Sequence, residues 1–415
     1  MRQGYLNQYF RAIAIKRLSL VEASPEISHQ HEYNGVTLLK DMFGTEVPRK
    51  NITTQFLFLS DEDDLEAEGE LTWYDARYNH PTRTEWRLYY PSNDVTAAAS
   101  AGDALFICLK SDGTVLEIIT KRESVIESQL FWLFNLYPDE ETGRFRANMN
   151  LSDQAADKVG FVARMILYKI GIEISADQDD YSDLLIGKFG NAFPSSKVFS
   201  EFARSTVVDV DPIADPDMAL IKWYDRETEM FKSMERLIIQ ERLKEGFASG
   251  SHVDVDAFIQ FSLSVNNRRK ARAGLSLENH LEALFFVQHI QYSHTPVTEN
   301  KSKPDFIFPS IELYKDLNYP SEQLTMLGAK TTAKDRWRQV LEEADRIQNK
   351  HLITLEGAIS ENQTNEMISR NLQLVVPVEI QKSYTQKQQD WLCSVRDFID
   401  LVRERQEFSR KYSIK

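Results

Sequence analysis

Cysteine is close to absent. Cys108 and Cys393 are the only two in 415 residues, and no CxxC or Cys/His spacing surrounds them. That excludes a disulfide-stapled scaffold and a thiolate zinc site, and it fits a reducing cytoplasm. No apolar run approaches the ~20 residues that a membrane-spanning helix needs. The opening segment MRQGYLNQYFRAIAIKRLSL shows neither a long apolar run nor a small-residue cleavage site, so no secretory leader is expected. Internal repeats and long low-complexity tracts are missing too. So is an excess of positive charge: 49 Lys and Arg face 63 Asp and Glu, a net charge of -14. This counts against a chain that is basic all over, but not against a local basic face.

What is present is an ordinary folded composition, 42% hydrophobic and 27% charged, at a length that predicts two domains. Charge is segregated. Asp61 to Asp64 with Glu66, Glu68 and Glu70 read as a solvated loop, whereas Arg268, Arg269, Lys270 and Arg272 form a basic cluster without an acid between them. The first ~120 residues read as β-rich: 55–60, 71–78, 85–91 and 103–110 are short, aromatic or β-branched, and bounded by turn residues. Helical patterns follow over 123–136 and 151–170, the latter with Ser152 as a candidate cap. Acids, Gly, Ser and a Pro between Ala176 and Pro194 mark a boundary, which predicts domains over 1–178 and 194–415 joined by a linker over 179–193. Beyond it come helices over 196–204, 227–247 (ending at Gly246), 276–290 (Ser276 as N-cap) and 335–348. Strands are predicted over 306–308, 324–330, 351–355 and 372–377. Strands alternating with helices predict an α/β second domain.

Within that domain Lys303-Pro304-Asp305 opens one apolar strand, and Lys330 closes the next, Met326-Leu327-Gly328-Ala329-Lys330. An acid and a lysine at neighbouring strand ends can flank one metal ion and one attacking water. Phosphodiester hydrolysis needs that arrangement: the carboxylate holds Mg²⁺, and the lysine orients or helps deprotonate water. A second acid two residues before the lysine is missing, because Gly328 stands there. The following helix offers Glu342 and Glu343, and helical phase does not choose between them.

The acid–lysine pattern resembles that of the PD-(D/E)xK nuclease superfamily. Residues 264–274, 276–282, 303–310 and 329–340, in this order and spacing, resemble the catalytic domain of EcoRII-type restriction endonucleases. The resemblance implies a C-terminal nuclease with a mixed sheet flanked by helices, homodimeric because cutting two strands takes two active sites. It implies Asp305 and Glu343 as Mg²⁺-binding acids, Lys330 as the catalytic lysine, and Glu278 as an additional acid from the preceding helix. Tyr314 matches a tyrosine near the family's active site. Arg269, beside Arg268 in the basic cluster, reads as a phosphate contact.

For double-stranded DNA, Arg336 offers a planar fork suited to guanine and Asp335 an acceptor for a cytosine amino group, with Lys334 beside them. The resemblance implies that these three read a CC:GG element. The family also stacks an extruded central base on protein. Here Trp223 and Tyr224 are candidates for that stacking or for core packing, and Thr228 stands where an aromatic would be expected. The first half carries looser landmarks: residues 15–19, His29-Gln30, and Thr82-Arg83-Thr84-Glu85-Trp86-Arg87. They resemble the family's effector domain, a β-rich DNA-binding pseudobarrel that binds a separate copy of the site and restrains the nuclease. Arg83, Glu85 and Arg87 alternate, so a strand would turn them to one side for base contacts, while a salt-bridge ladder is the plain alternative. Pro81 and Trp86 replace basic residues of that pattern. Two rival readings stay open: an aromatic cage for a modified base built from Trp73, Tyr74 and Trp86, and a DNA-binding regulator with an inactive nuclease fold.

Overall fold

The computed structural model describes residues 6–24, 31–34, 36–149, 160–172, 181–249, 252–332 and 337–412. Two compact units emerge, one of residues 1–177 with 358–362, the other of 178–357 with 363–415. Among the described residues no helix is long and apolar enough to cross a membrane.

The first unit is built on one sheet. Its strands are β1 (Phe10–Arg17), β2 (Glu32–Tyr33), β3 (Arg49–Leu59), β4 (Asp64–Asp75), β5 (Trp86–Tyr89), β6 (Ala104–Lys110), β7 (Val115–Thr120) and β8 (Arg146–Asn148). They lie in the order β2-β5-β4-β3-β7-β6-β1-β8, with β3 parallel to β7 and the other neighbours antiparallel. The unit is thus β-rich, as predicted, and its sheet is mixed. Alternation along β3 sends Ile52, Phe56 and Phe58 into a core with Leu71, Trp73, Trp86 and Leu88. The acidic run belongs partly to β4, where Glu66, Glu68 and Glu70 face Gln55 and its neighbours across the hairpin. Helix α1 (Val125–Phe134) starts where the Ser124 hydroxyl accepts from Glu127 N and ends at left-handed Asn135. Of the helix predicted over 151–170, Phe161–Lys169 is seen, while Ser152 lies outside the described residues.

The second unit surrounds a five-stranded mixed sheet with helices. A short hairpin, β9 (Ala248–Ser249) with β10 (His252–Val253), stands apart from it. The sheet runs β11 (Ser293–His294), β12 (Phe306–Phe308), β13 (Thr325–Ala329), β14 (Lys350–Ile353), β15 (Leu372–Val375) in sequence order. Its first two pairings are antiparallel and its last two parallel. The expected linker contains helix α2 (Ser182–Phe189), whose Leu185 is fully buried against Phe199, Ala203 and Met230.

Three helices follow: α3 (Ser196–Ser205), α4 (Pro216–Glu245) and α5 (Val255–Val287). Gly246 ends α4 with φ 76°, as its sequence position predicts. Ser276 does not begin a helix. It lies buried inside α5, which Asp254 caps by accepting from Ala257 N. Gly274 and Ser276 are weak helix formers, but packing outweighs them: Leu277, Leu281, Leu284 and Phe285 are buried, and Arg269 and Arg272 pair with Glu235 and Glu227 of α4. A short helix α6 (Ile311–Lys315) follows β12. The helix predicted over 335–348 is seen only as α7 (Trp337–Leu341), and Ala344 turns the chain out of it at φ 52°. The long helix α8 (Val395–Tyr412) follows last.

Candidate active site

The site grows from the register of β12 and β13. Phe306 pairs with Leu327, so Asp305, one residue earlier, comes level with Gly328 and Ala329. Its buried Oδ2 accepts from Ala329 N at 2.6 Å and from Lys330 Nζ at 2.8 Å. The Asp305 carbonyl is held in turn by Thr295 N at 2.9 Å, and Lys330 N donates to Ile353 O of β14 at 3.0 Å. Acid and lysine are therefore fixed through three adjacent strands, and their side chains form the pair that the sequence predicts.

Gly328 explains the missing strand acid. A Cβ there would lie 2.9 Å from Val340 Cγ2 and 3.3 Å from its Cγ1. The strand gives up its side chain so that Val340 of α7 packs directly on the sheet. Three residues on, past the end of α7, is Glu343, half-buried, with an Oε2 that finds no hydrogen-bond partner among the described residues. Burial, and then the charge of Asp305, push its carboxyl up to about 7, against the opposing pull of Lys330 and Lys350. A carboxyl raised by burial and by a neighbouring acid, with an orphaned buried oxygen, suits a divalent cation shared with that acid. Among the described residues no set of three or more His, Cys, Asp and Glu side chains joins at one point to hold a metal. Glu342, the other candidate, is exposed.

Glu278, on α5, accepts from His294 Nε2 at 2.9 Å. The His294 ring stacks on Phe306 at 5.0 Å, beside Asp305. The Glu278 hydrogen bond raises the imidazole pKa above its usual value, with help from Glu282 and Asp305. The sequence reading missed His294 and Glu282. Only the strand pairing of His294 with Phe306 brings them to the site, and no spacing rule announces it. Tyr314 is buried. Its hydroxyl donates to Glu299 Oε2 at 2.6 Å and accepts from Arg346 N at 3.3 Å, so it braces the turn after Glu343.

The basic cluster is largely turned inward. Arg269 Nε donates to the buried Glu235 carboxylate at 2.7 Å. Arg272 lies 4.4 Å from the Phe231 ring centroid and Arg268 5.1 Å from that of Phe193. Trp223 and Tyr224 are core residues, each 6% exposed, and Thr228 receives Arg272 NH2 at 3.3 Å. Lys334, Asp335 and Arg336 lie outside the described residues, as does His29.

In the first unit Arg83, which is exposed, and Glu85 both precede β5, and of the three only Arg87 lies on the strand, so they do not form one strand face. Arg87 bridges Glu85 at 2.6 Å and Glu32 at 2.9 Å, and Glu85 also pairs with Arg77. This is the salt-bridge ladder, at the rim of a cleft lined by Glu32, Asn34 and Arg87. Trp86, expected with the DNA-contacting residues, is corrected to the core. Strand alternation turns it inward, where it stacks on Trp73 at 5.1 Å. Trp73 also donates its indole N–H to Gly44 O at 2.9 Å, and Tyr74 bonds Glu32. The three rings therefore do not frame a cage for a modified base.

The five-stranded mixed sheet and flanking helices define the second unit as an α/β domain, with the acid–lysine pair at two adjacent strand ends. Residues 231–399 match the family described as EcoRII C terminal. The chain is 41% identical over 208 residues, 50% of this chain and 50% of the relative, to the "Type II restriction enzyme EcoRII" of Escherichia coli. To the "Type II restriction enzyme SsoII" of Shigella sonnei it is 29% identical over 163 residues, 37% of this chain and 51% of the relative. A solved structure, "Metal-depleted Ecl18kI in complex with uncleaved, modified DNA", shares 21% identity at a TM-score of 0.44, over 56% of this chain and 84% of that one. The chain spans about half the length of the curated relatives it matches.

Proposed function

We propose that this protein is a type II restriction endonuclease that makes sequence-specific double-strand cuts in DNA by Mg²⁺-dependent phosphodiester hydrolysis. One observation carries the reading: the Asp305–Lys330 pair at 2.8 Å, with the orphaned, raised carboxyl of Glu343 electrostatically coupled to both. Asp305 and Glu343 would hold the cation, which supplies neutralisation of phosphate charge and acidifies a bound water when present. Lys330 is oriented by Asp305 Oδ2 so that its remaining protons point to water or to a phosphate oxygen. Glu278, steadied by His294, is a further acid on the rim. Two strands need two such sites, which calls for a homodimer. Lys334, Asp335 and Arg336 follow Lys330 closely in sequence and suit reading of C:G pairs, so we assign them a CC/GG-containing site. In the first unit, where Glu85 and Arg87 are engaged in the salt-bridge ladder, exposed Arg83 is assigned to a second, effector copy of DNA. The likeness to restriction enzymes of bacteria supports the cytoplasm of a prokaryotic cell as its place of work.

The test is cleavage of plasmid DNA with Mg²⁺, followed by sequencing of the ends. Lys330→Ala and Asp305→Ala should each abolish cutting while leaving a folded protein that binds DNA. Normal cutting by either variant, or ends without CC and GG arms, overturns the corresponding part of the reading.

A further inference from the structure

Lys350 is a lysine in an unusual place. It opens β14, is 7% exposed, and donates from Nζ to the carbonyl of Leu341 at 2.5 Å. Leu341 is the last residue of α7. Carbonyls at a helix end lack partners within the helix and favour a cation. A buried ammonium is costly, and an apolar side chain would suit the start of a central strand better. The lysine therefore serves something that packing alone does not.

What it holds is the turn that carries Glu343. The chain leaves α7 through two tight bonds, Glu342 N to Gln339 O at 3.1 Å and Glu343 N to Val340 O at 3.3 Å. Left-handed Ala344 comes next. On the far side the Arg346 guanidinium grips the carbonyls of Asp316 at 3.0 Å and Tyr319 at 2.8 Å. Glu343 thus lies between two clamps, and of these only Lys350 belongs to the sheet. β14 pairs with β13 through Leu327 and His351, and Lys330 N bonds Ile353 O of β14. The strand bearing Lys350 is hydrogen-bonded to the strand bearing the catalytic lysine, so Lys350 fixes the displaced acid in the frame of the acid–lysine pair.

We propose that Lys350 is a positioning residue for Glu343, holding the end of α7 to the sheet so that the displaced carboxylate stays in register with Asp305 and Lys330. The proposal rests on the nuclease reading above. The test titrates Mn²⁺ into the full-length protein without DNA, followed by electron spin resonance of the free ion. Wild-type protein should show a site that Glu343→Ala removes. Lys350→Met, which keeps the apolar stem, should weaken that site about 10- to 100-fold, the usual effect of removing a group that orients a ligand. Lys350→Arg, which keeps a cationic donor, should restore it. Metal-free DNA affinity should be the same in wild type, Lys350→Met and Lys350→Arg. If Lys350→Met does not fold, Lys350→Gln takes its place with the same expected loss. Wild-type Mn²⁺ affinity in the Met or Gln variant overturns the proposal alone. Absence of any Glu343-dependent site in the wild type overturns it together with the metal-binding part of the nuclease reading.

Discussion

Adding a single methyl group at Gly328 should disturb the site from behind. The built Cβ lies 2.9 Å from Val340 Cγ2, 3.3 Å from Cγ1 and 3.6 Å from Leu352 Cδ1, where carbon contacts prefer about 3.5–4.0 Å. Relief by a rotamer change is difficult, because Val340 is β-branched and fully buried. The strand or α7 must shift instead. Overpacking of this kind costs about 1–3 kcal/mol, so Gly328→Ala should destabilise the second unit by ~2 kcal/mol. Val340→Ala alone removes two methyl-sized groups at ~0.8 kcal/mol each, plus a cavity contribution, again ~2 kcal/mol. In the double variant the new methyl occupies the space that valine left, so the total should stay near ~2 rather than ~4 kcal/mol. A coupling of that size is well above the ~0.5 kcal/mol scatter of independent sites. Urea unfolding followed by tryptophan fluorescence measures it, since Trp337 is buried on the same short helix. Additive costs, or a neutral Gly328→Ala, would refute the claim that the glycine exists to admit Val340. The same geometry predicts that Gly328→Asp combined with Glu343→Ala will not rebuild a working site, because the strand carboxylate would collide with Val340.

Two further outcomes follow from charge. Glu343→Ala should lower cleavage by at least ~10²-fold, the scale of losing one strong electrostatic contact, whereas exposed Glu342→Ala should stay close to wild type; equal losses in a cleavage assay would move the acid to the wrong residue. In the first unit Glu117 is fully buried, bonded to Tyr33 Oη at 2.6 Å, and pushed up by burial to about 8. Its unfolded value is about 4.3. Between those values the folded chain keeps a proton that the unfolded chain releases, so stability falls as pH rises across that window and levels off above about 8. Glu117→Gln should flatten that fall, seen as urea midpoints against pH; a wild-type slope in the variant would show that Glu117 does not cause it.

Strand periodicity and punctuation made the sheet of the second unit legible. Phe306–Phe308, Thr325–Ala329 and Leu372–Val375 are short apolar runs between turn residues, and that is what a fully covered strand looks like. Helix ends were less legible, because they depend on partners far along the chain. Ser276 has the chemistry of a cap, yet buried leucines and arginine–glutamate pairs with α4 carry α5 through it. Trp86 alternates correctly with Glu85 and Arg87, but alternation alone does not say which face is inward; its stacking on Trp73 does. The choice between Glu342 and Glu343 failed on phase for a related reason. A phase argument assumes a continuous helix, and this helix stops at Leu341, where Lys350 takes its carbonyl. The structure separates the two acids through the glycine instead. With no side chain at Gly328, Val340 descends onto the sheet, and the chain beyond it turns Glu343 inward and leaves Glu342 in solvent. The acid missing from the strand and the acid present after the helix are thus one structural event: the strand cannot accept Val340 and keep a carboxylate at the same position.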